Sequence, residues 1–176
     1  MDWEGRGDGR VLGFAGGGEG AWDSDRLENG GTRFRLGRSN GPGAVAADVS
    51  AVSNDDSLVM RIQDGTQSFL LSGDIEKRVE NELVDEQAPL AADFLKVPHH
   101  GSKTSSTDAF VAAVAPKVAV VSVGDGNQFG HPVDSVVARY AAAGVRFLRT
   151  DRDGEVTALT DGQTLTVRTF AEDHPQ

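Results

Sequence analysis

The chain has 176 residues, 38% hydrophobic and 25% charged, with a net charge of -10 and no cysteine. That length suits one domain with its own core and is short for two, and without cysteine both disulfides and thiolate-held zinc are excluded, leaving His, Asp, Glu and Asn as metal ligands. The acidic balance disfavours general electrostatic binding to a nucleic-acid backbone, so any phosphate contact must be local.

No apolar run approaches the roughly 18 residues of a membrane span, and Val11 to Ala15 is too short for a signal peptide. The sequence reads as soluble, cytoplasmic by default or membrane-associated through a partner. Residues 1 to 43 hold 13 of the 22 glycines and show almost no apolar periodicity, so residues 1 to 30 read as a disordered, glycine-rich segment. The Gly16-Gly17-Gly18 run is not a phosphate loop, since no Gly-Lys-Ser/Thr follows and no strand precedes it. A domain is expected over residues 31 to 170, followed by a polar tail.

Within that domain Thr32 to Leu36 alternates as a strand does, and Ala44 to Val52 is a second candidate. Ser57 to Gln63 and Thr66 to Ser72 are β-rich runs around Asp64-Gly65, which predicts a hairpin. From Asp74 to Glu86 the period changes: Ile75, Val79 and Leu83 fall at i, i+4 and i+8, the pattern of an amphipathic helix. Asp93 to Val97 is a strand with a near-continuous apolar run, Ser106 to Val114 a helix, Lys117 to Val123 a strand, and Pro132 to Ala143 a helix stopped by Gly144. The remainder reads as a meander of Val145 to Arg149, Glu155 to Thr160 and Thr164 to Phe170. The order ββαβαβαβββ predicts an α/β fold with a mixed sheet and covering helices.

Chemistry concentrates at strand ends. Leu95 to Val97 runs into Pro98-His99-His100-Gly101-Ser102, an upstream strand ends in Ser72-Gly73-Asp74, and Gly130-His131-Pro132 precedes a helix. Neutral imidazoles and carboxylates converging from successive strand ends are how a hydrolytic metal centre is built. Each feature has a plainer reading: Asp74 as a helix N-cap, one of His99 and His100 as a packing residue, since neighbours on an extended backbone point opposite ways, and His131 as a loop residue. His174 lies in the polar tail.

Taken together, Asn54 to Val59, Leu70 to Glu76, Leu95 to Ser102, Gly130 to Pro132 and Arg149-Thr150-Asp151 make the region from about Gly31 to Thr169 resemble the metallo-β-lactamase-fold domain of the ComEC-type DNA-internalisation competence proteins. The resemblance implies an αββα sandwich with a Zn2+ or Mn2+ centre and a nuclease-type, metal-dependent phosphodiesterase activity on DNA. By motif position, Asp74 matches the metal-bridging aspartate and His99 or His100 the later ligand. Asn54 stands where many members of the fold carry a histidine, and His131 matches a histidine with a substrate-side role. The implied catalytic pair is His100 and His131, and the implied metal ligands are Asp74, His99, His100 and Asn54.

One departure limits the resemblance. The fold's leading His-x-His-x-Asp-His motif is absent, because no histidine precedes His99. What remains therefore corresponds to roughly the second half of the domain, and three readings follow. Another polypeptide or a neighbouring reading frame supplies the rest of a phosphodiesterase acting on DNA or another phosphodiester, with a chain carrying the missing half or a membrane channel as the expected partner; or the chain is a truncated interaction module without catalysis; or it hydrolyses another ester, such as a lactone or thioester.

Overall fold

In the computed structural model, residues 32–38 and 53–174 are described. The candidate strand over Ala44 to Val52 and the glycine-rich segment over residues 1 to 30 lie outside them.

Six strands form one sheet in strict chain order: β1 (Thr32–Arg38), β2 (Leu58–Asp64), β3 (Gln67–Leu71), β4 (Phe94–Lys96), β5 (Val118–Val121) and β6 (Arg146–Arg149). The first three pair antiparallel and β3 through β6 pair parallel. Parallel neighbours need crossovers, supplied by α1 (Lys77–Asp85), α2 (Asp108–Val114) and α3 (Asp134–Ala142). Because such crossovers share one hand and the sheet grows in one direction, all three helices cover the same face. The alternation of each strand decides what they cover. Leu70, Leu95 and Ala119 share a row facing the helices and are buried with Val79, Leu83, Phe110, Val111, Val114, Val136 and Tyr140. Each fully buried aliphatic side chain of this kind contributes roughly 1.5–3 kcal/mol.

The opposite face carries Met60, Ile62, Phe69, Leu71, Phe94, Val118, Val120 and Leu148 in register. Its β5–β6 end is covered by a separate hairpin, β7 (Val156–Thr160) and β8 (Leu165–Thr169), through Val156 and Val167. The chain is thus an α/β domain with a mixed sheet and covering helices, the fold class read from the sequence.

Three local expectations are corrected. The tight turn between β2 and β3 is Gly65-Thr66, one residue later than Asp64-Gly65, because Asp64 still pairs with Gln67. Only Gly65 needs positive φ (+55°), as in a turn with glycine at its first central position. The C-terminal strands are not a meander: β6 joins the main sheet beside β5, and a short helix, α4 (Thr150–Asp153), separates it from the β7–β8 hairpin. Val145 to Arg149 is apolar enough at Phe147 and Leu148 to be drawn into the sheet. Finally, α1 begins at Lys77 with Glu76 at its N-cap position, so Asp74 does not cap the helix.

One buried carboxylate ties this scaffold to the histidine loop. Glu80, on the inner side of α1, is fully buried and accepts from the backbone N–H groups of Ser106 and, at 2.7 Å, Thr107. Ser106 has φ +58° and is held further by Tyr140 Oη at 3.1 Å and by Arg139, whose Nη1 donates to its carbonyl at 2.6 Å. Burial pushes the Glu80 carboxyl above the ordinary glutamate range, against the pull of its Thr107 and Ser106 partners.

Candidate functional site

The site lies off the C-terminal ends of β3, β4 and β5, where a parallel sheet leaves a crevice between diverging loops. Asp74 follows β3 through Ser72 and Gly73. Ser72 donates to the Lys96 carbonyl at 2.7 Å, Asp74 N–H donates to Ser57 Oγ at 3.0 Å, and a Cβ on Gly73 (φ +57°) would come within 2.6 Å of Ser57 Cβ. The loop carrying Asp74 is therefore clamped against the segment before β2.

After β4 the backbone is not extended. His99 and His100 are consecutive left-handed residues, with φ of 45° and 52°, a conformation that costs a non-glycine residue roughly 1–2 kcal/mol. The two rings diverge because the chain turns there. The expectation that one of the two points away therefore holds in outcome, while its premise of an extended backbone does not.

His100 turns toward Asp74. Its Nδ1 lies 2.7 Å from the Ser122 carbonyl oxygen, which can only accept, so Nδ1 carries the hydrogen and the neutral ring presents its Nε2 lone pair. That Nε2 is 3.7 Å from Asp74 Oδ1. Donors bound at about 2.0–2.2 Å to one tetrahedral ion stand roughly 3.4 Å apart, so this pair is close to the spacing that two ligands of one ion adopt.

His99 turns the other way. Its Nε2 is 3.3 Å from the Asn54 amide Nδ2, a donor, which leaves the hydrogen on Nδ1 facing Glu76 Oε1 at 3.1 Å. The latter is an electrostatic contact off the line of a hydrogen bond, and Glu76 Oε1 is also held by Thr104 Oγ1 at 3.0 Å. Asn54 thus sits with His99, away from Asp74. The His131 ring packs edge-on to His99 at 6.0 Å, with its buried Nδ1 lacking a hydrogen-bond partner. Burial, with the neighbouring His99 and His100 rings, holds the His131 imidazole below the usual histidine range, so it stays neutral at physiological pH.

Two members of the cluster carried no role in the sequence reading. Lys96 projects from the otherwise apolar face of β4 and places Nζ 3.6 Å from the same Asp74 Oδ1, its own pKa lowered by burial against the pull of Asp74. Glu76 stands two residues beyond Asp74. A lone lysine at an apolar strand position, and a second carboxylate at i+2, were the available signals.

The structure brings Asp74 and His100 together, places Asn54 and Glu76 against His99, and packs His131 edge-on to His99. Among the described residues no three His, Asp or Glu side chains are grouped to hold a metal ion. With no cysteine and no histidine before residue 99, Asp74 and His100 would supply about half of the donors a tetrahedral site needs. The described residues do not complete a metal centre.

Comparison with known proteins settles the family. The Metallo-beta-lactamase superfamily matches residues 3–125, well over half of the chain. The chain belongs to the metallo-beta-lactamase superfamily. The superfamily generally uses metal ions, and the match takes in the glycine-rich segment and ends before His131. The chain is 39% identical over 106 residues to ComE operon protein 3 of Bacillus subtilis, covering 60% of this chain and 14% of that protein. It is 39% identical over 102 residues to competence protein ComA of Neisseria gonorrhoeae, covering 57% and 15%, and 38% identical over 91 residues to recombination protein 2 of Haemophilus influenzae, covering 52% and 11%. The resemblance to ComEC-type competence proteins thus holds, and the chain spans about a seventh or less of the length of these relatives. No helix among the described residues is long and apolar enough to cross a membrane.

Proposed function

We propose that this metallo-beta-lactamase-superfamily domain contributes the Asp74–His100 pair to a metal-dependent phosphodiesterase of DNA internalisation, whose remaining ligands the described residues do not supply. The observation that carries the reading is the 3.7 Å approach of the His100 Nε2 lone pair to Asp74 Oδ1, with the tautomer set by Ser122. A carbonyl-anchored imidazole aimed at a carboxylate is a prearranged pair of donors, and it is costly to hold on a left-handed backbone without use. The competence relatives favour DNA over a lactone or thioester as the substrate.

Since the donor set is incomplete, the contributions of this chain are positional. His100 and Asp74 fix two donor atoms, Lys96 neutralises Asp74, and His131, kept neutral beside them, is able to accept or return a proton at the substrate side. The second reading, an interaction module without catalysis, is favoured by the absence of a three-group cluster among the described residues. Zinc and manganese titration of the metal-stripped chain, beside Asp74→Ala and His100→Ala, separates the two. Weak binding of a single ion that disappears in both variants supports the half-centre. Absent binding, or binding indifferent to both substitutions, leaves the interaction module.

A further inference from the structure

Phe129 is 77% exposed, the most exposed large hydrophobic side chain among the described residues, and it stands at the mouth of the site. Its ring lies 19° from parallel to the His131 imidazole with centroids 6.0 Å apart, and His131 in turn meets His99 at 6.0 Å. One run of rings therefore leads from solvent to the cluster beside Asp74 and His100, and its outer end is uncovered.

The position of Phe129 is fixed by polar contacts and not by burial. Asn127 clamps the loop from within, accepting from His131 N–H at 3.0 Å and donating to the His131 carbonyl at 2.8 Å. Behind it, Val133 N–H donates to the Gly101 carbonyl at 3.0 Å, which ties the loop to the histidine turn. An aromatic ring held out in water by a built loop gains nothing for folding. It is preorganised to receive another planar group.

We infer that Phe129, backed by His131, is a stacking platform for a nucleobase, which selects unpaired nucleic acid as the ligand of this site. The inference rests on the phosphodiesterase reading for its choice of ligand. Bases of a duplex have both faces already stacked, whereas an unpaired base offers a free π-face to an exposed ring. The charge of the chain points the same way: at a net -10, with Asp125 in the same loop, general phosphate attraction is weak, and contact with the base adds what the backbone does not supply.

The test is anisotropy of an end-labelled single-stranded oligodeoxynucleotide titrated with the metal-stripped full chain, next to an oligonucleotide of equal length made of abasic sites. Binding of the intact strand is expected to weaken roughly five- to a hundredfold in Phe129→Ala, to survive in Phe129→Tyr, and to weaken comparably when the bases are removed. No saturable binding by the wild-type chain, equal binding by Phe129→Ala, or equal binding of the abasic strand would each overturn it. Zinc titration of the same samples is scored apart: a failed metal site sinks the phosphodiesterase reading without touching base dependence, and the converse outcome sinks only the stacking platform.

Discussion

Replacing Glu80 tests whether the histidine turn is held in place from beneath. In Glu80→Ala the Ser106 and Thr107 N–H groups lose their carboxylate acceptors. A buried donor left without a partner costs roughly 1–3 kcal/mol, and Ser106 is fully buried. The void left by the side chain adds about 1–2 kcal/mol, while removal of a carboxylate that burial already disfavours returns a similar amount. The expected net loss is about 3 kcal/mol, a large part of the stability of a domain this size. Urea denaturation followed by far-UV circular dichroism measures it, and amide exchange should quicken at Ser106, Thr107 and the adjoining His99–Ser102 turn. Glu80→Gln keeps one acceptor and is expected to lose about 2 kcal/mol. Its pH dependence has a definite sign. Because the folded pKa is raised, the linked contribution of Glu80 is fully present below the ordinary value of 4.5 and is lost as pH rises through the folded value. The gap between wild type and Glu80→Gln should therefore be wider near pH 4.5 than at neutral pH. A loss under about 0.5 kcal/mol in Glu80→Ala with unchanged exchange would refute the reasoning.

Three further outcomes are expected. Gly101→Ala places a Cβ 2.5 Å from Pro132 Cβ on a residue with φ +76°, so a loss of about 2–4 kcal/mol, read as a lower thermal midpoint, should come with shifted His131 ring resonances; an unchanged midpoint would contradict the packing described. At Asp93, burial raises the carboxyl but Lys117 at 2.8 Å and the Ser68 N–H and hydroxyl outweigh it, so its folded pKa is lowered. Its contribution is present above the ordinary value of 3.8 and lost as pH falls through the folded value, so Asp93→Asn should cost about 1–2 kcal/mol at neutral pH and flatten the acid limb of the stability curve. Lys96→Met removes the ammonium 3.6 Å from Asp74 and should tighten zinc binding by roughly fivefold, about 1 kcal/mol, in the same titration that tests Asp74; weaker binding would mean Lys96 supports the site in another way.

How far the sequence foretold this molecule differs from element to element. Crossover helices were legible wherever 3.6-residue spacing met a clean stop, as with the buried Val79 and Leu83 of α1 before Pro89, whereas Ile75, read as the first member of that spacing, is buried just ahead of the helix. Strand β4 was legible because Phe94, Leu95 and Val97 make a near-continuous apolar run, interrupted by Lys96 alone. The fate of Val145 to Arg149 was not, since a four-residue strand alternates equally well in a meander and at the edge of a parallel sheet, and only the packing of Leu148 against Val118 and Val120 decides. At the candidate site the residues could be named from the sequence, but their arrangement could not. Asp74, His99, His100 and His131 could be picked out at strand ends, but nothing in Pro98-His99-His100-Gly101 announces two non-glycine residues with positive φ, and that turn sends His100 to Asp74 and His99 to Asn54 and Glu76. Lys96 was hidden for the opposite reason: on a short strand it looks like a solvent-facing residue, and only the register with Leu71 and Val120 shows it on an apolar face.

The strict chain order of the main sheet has a bearing on how the molecule is made. Each strand from β2 onward docks on the edge left by its immediate predecessor, so no strand waits for a later one before it can pair. Along the chain β3 brings Asp74, β4 adds both histidines of the turn, and the packing of Pro132 on Gly101 brings in His131, all N-terminal to β6 and the terminal hairpin. Neighbour-by-neighbour pairing keeps the contacts of the main sheet short in sequence, which favours fast folding, and the candidate site residues Asp74, His99, His100 and His131 all fall within that locally connected part of the chain.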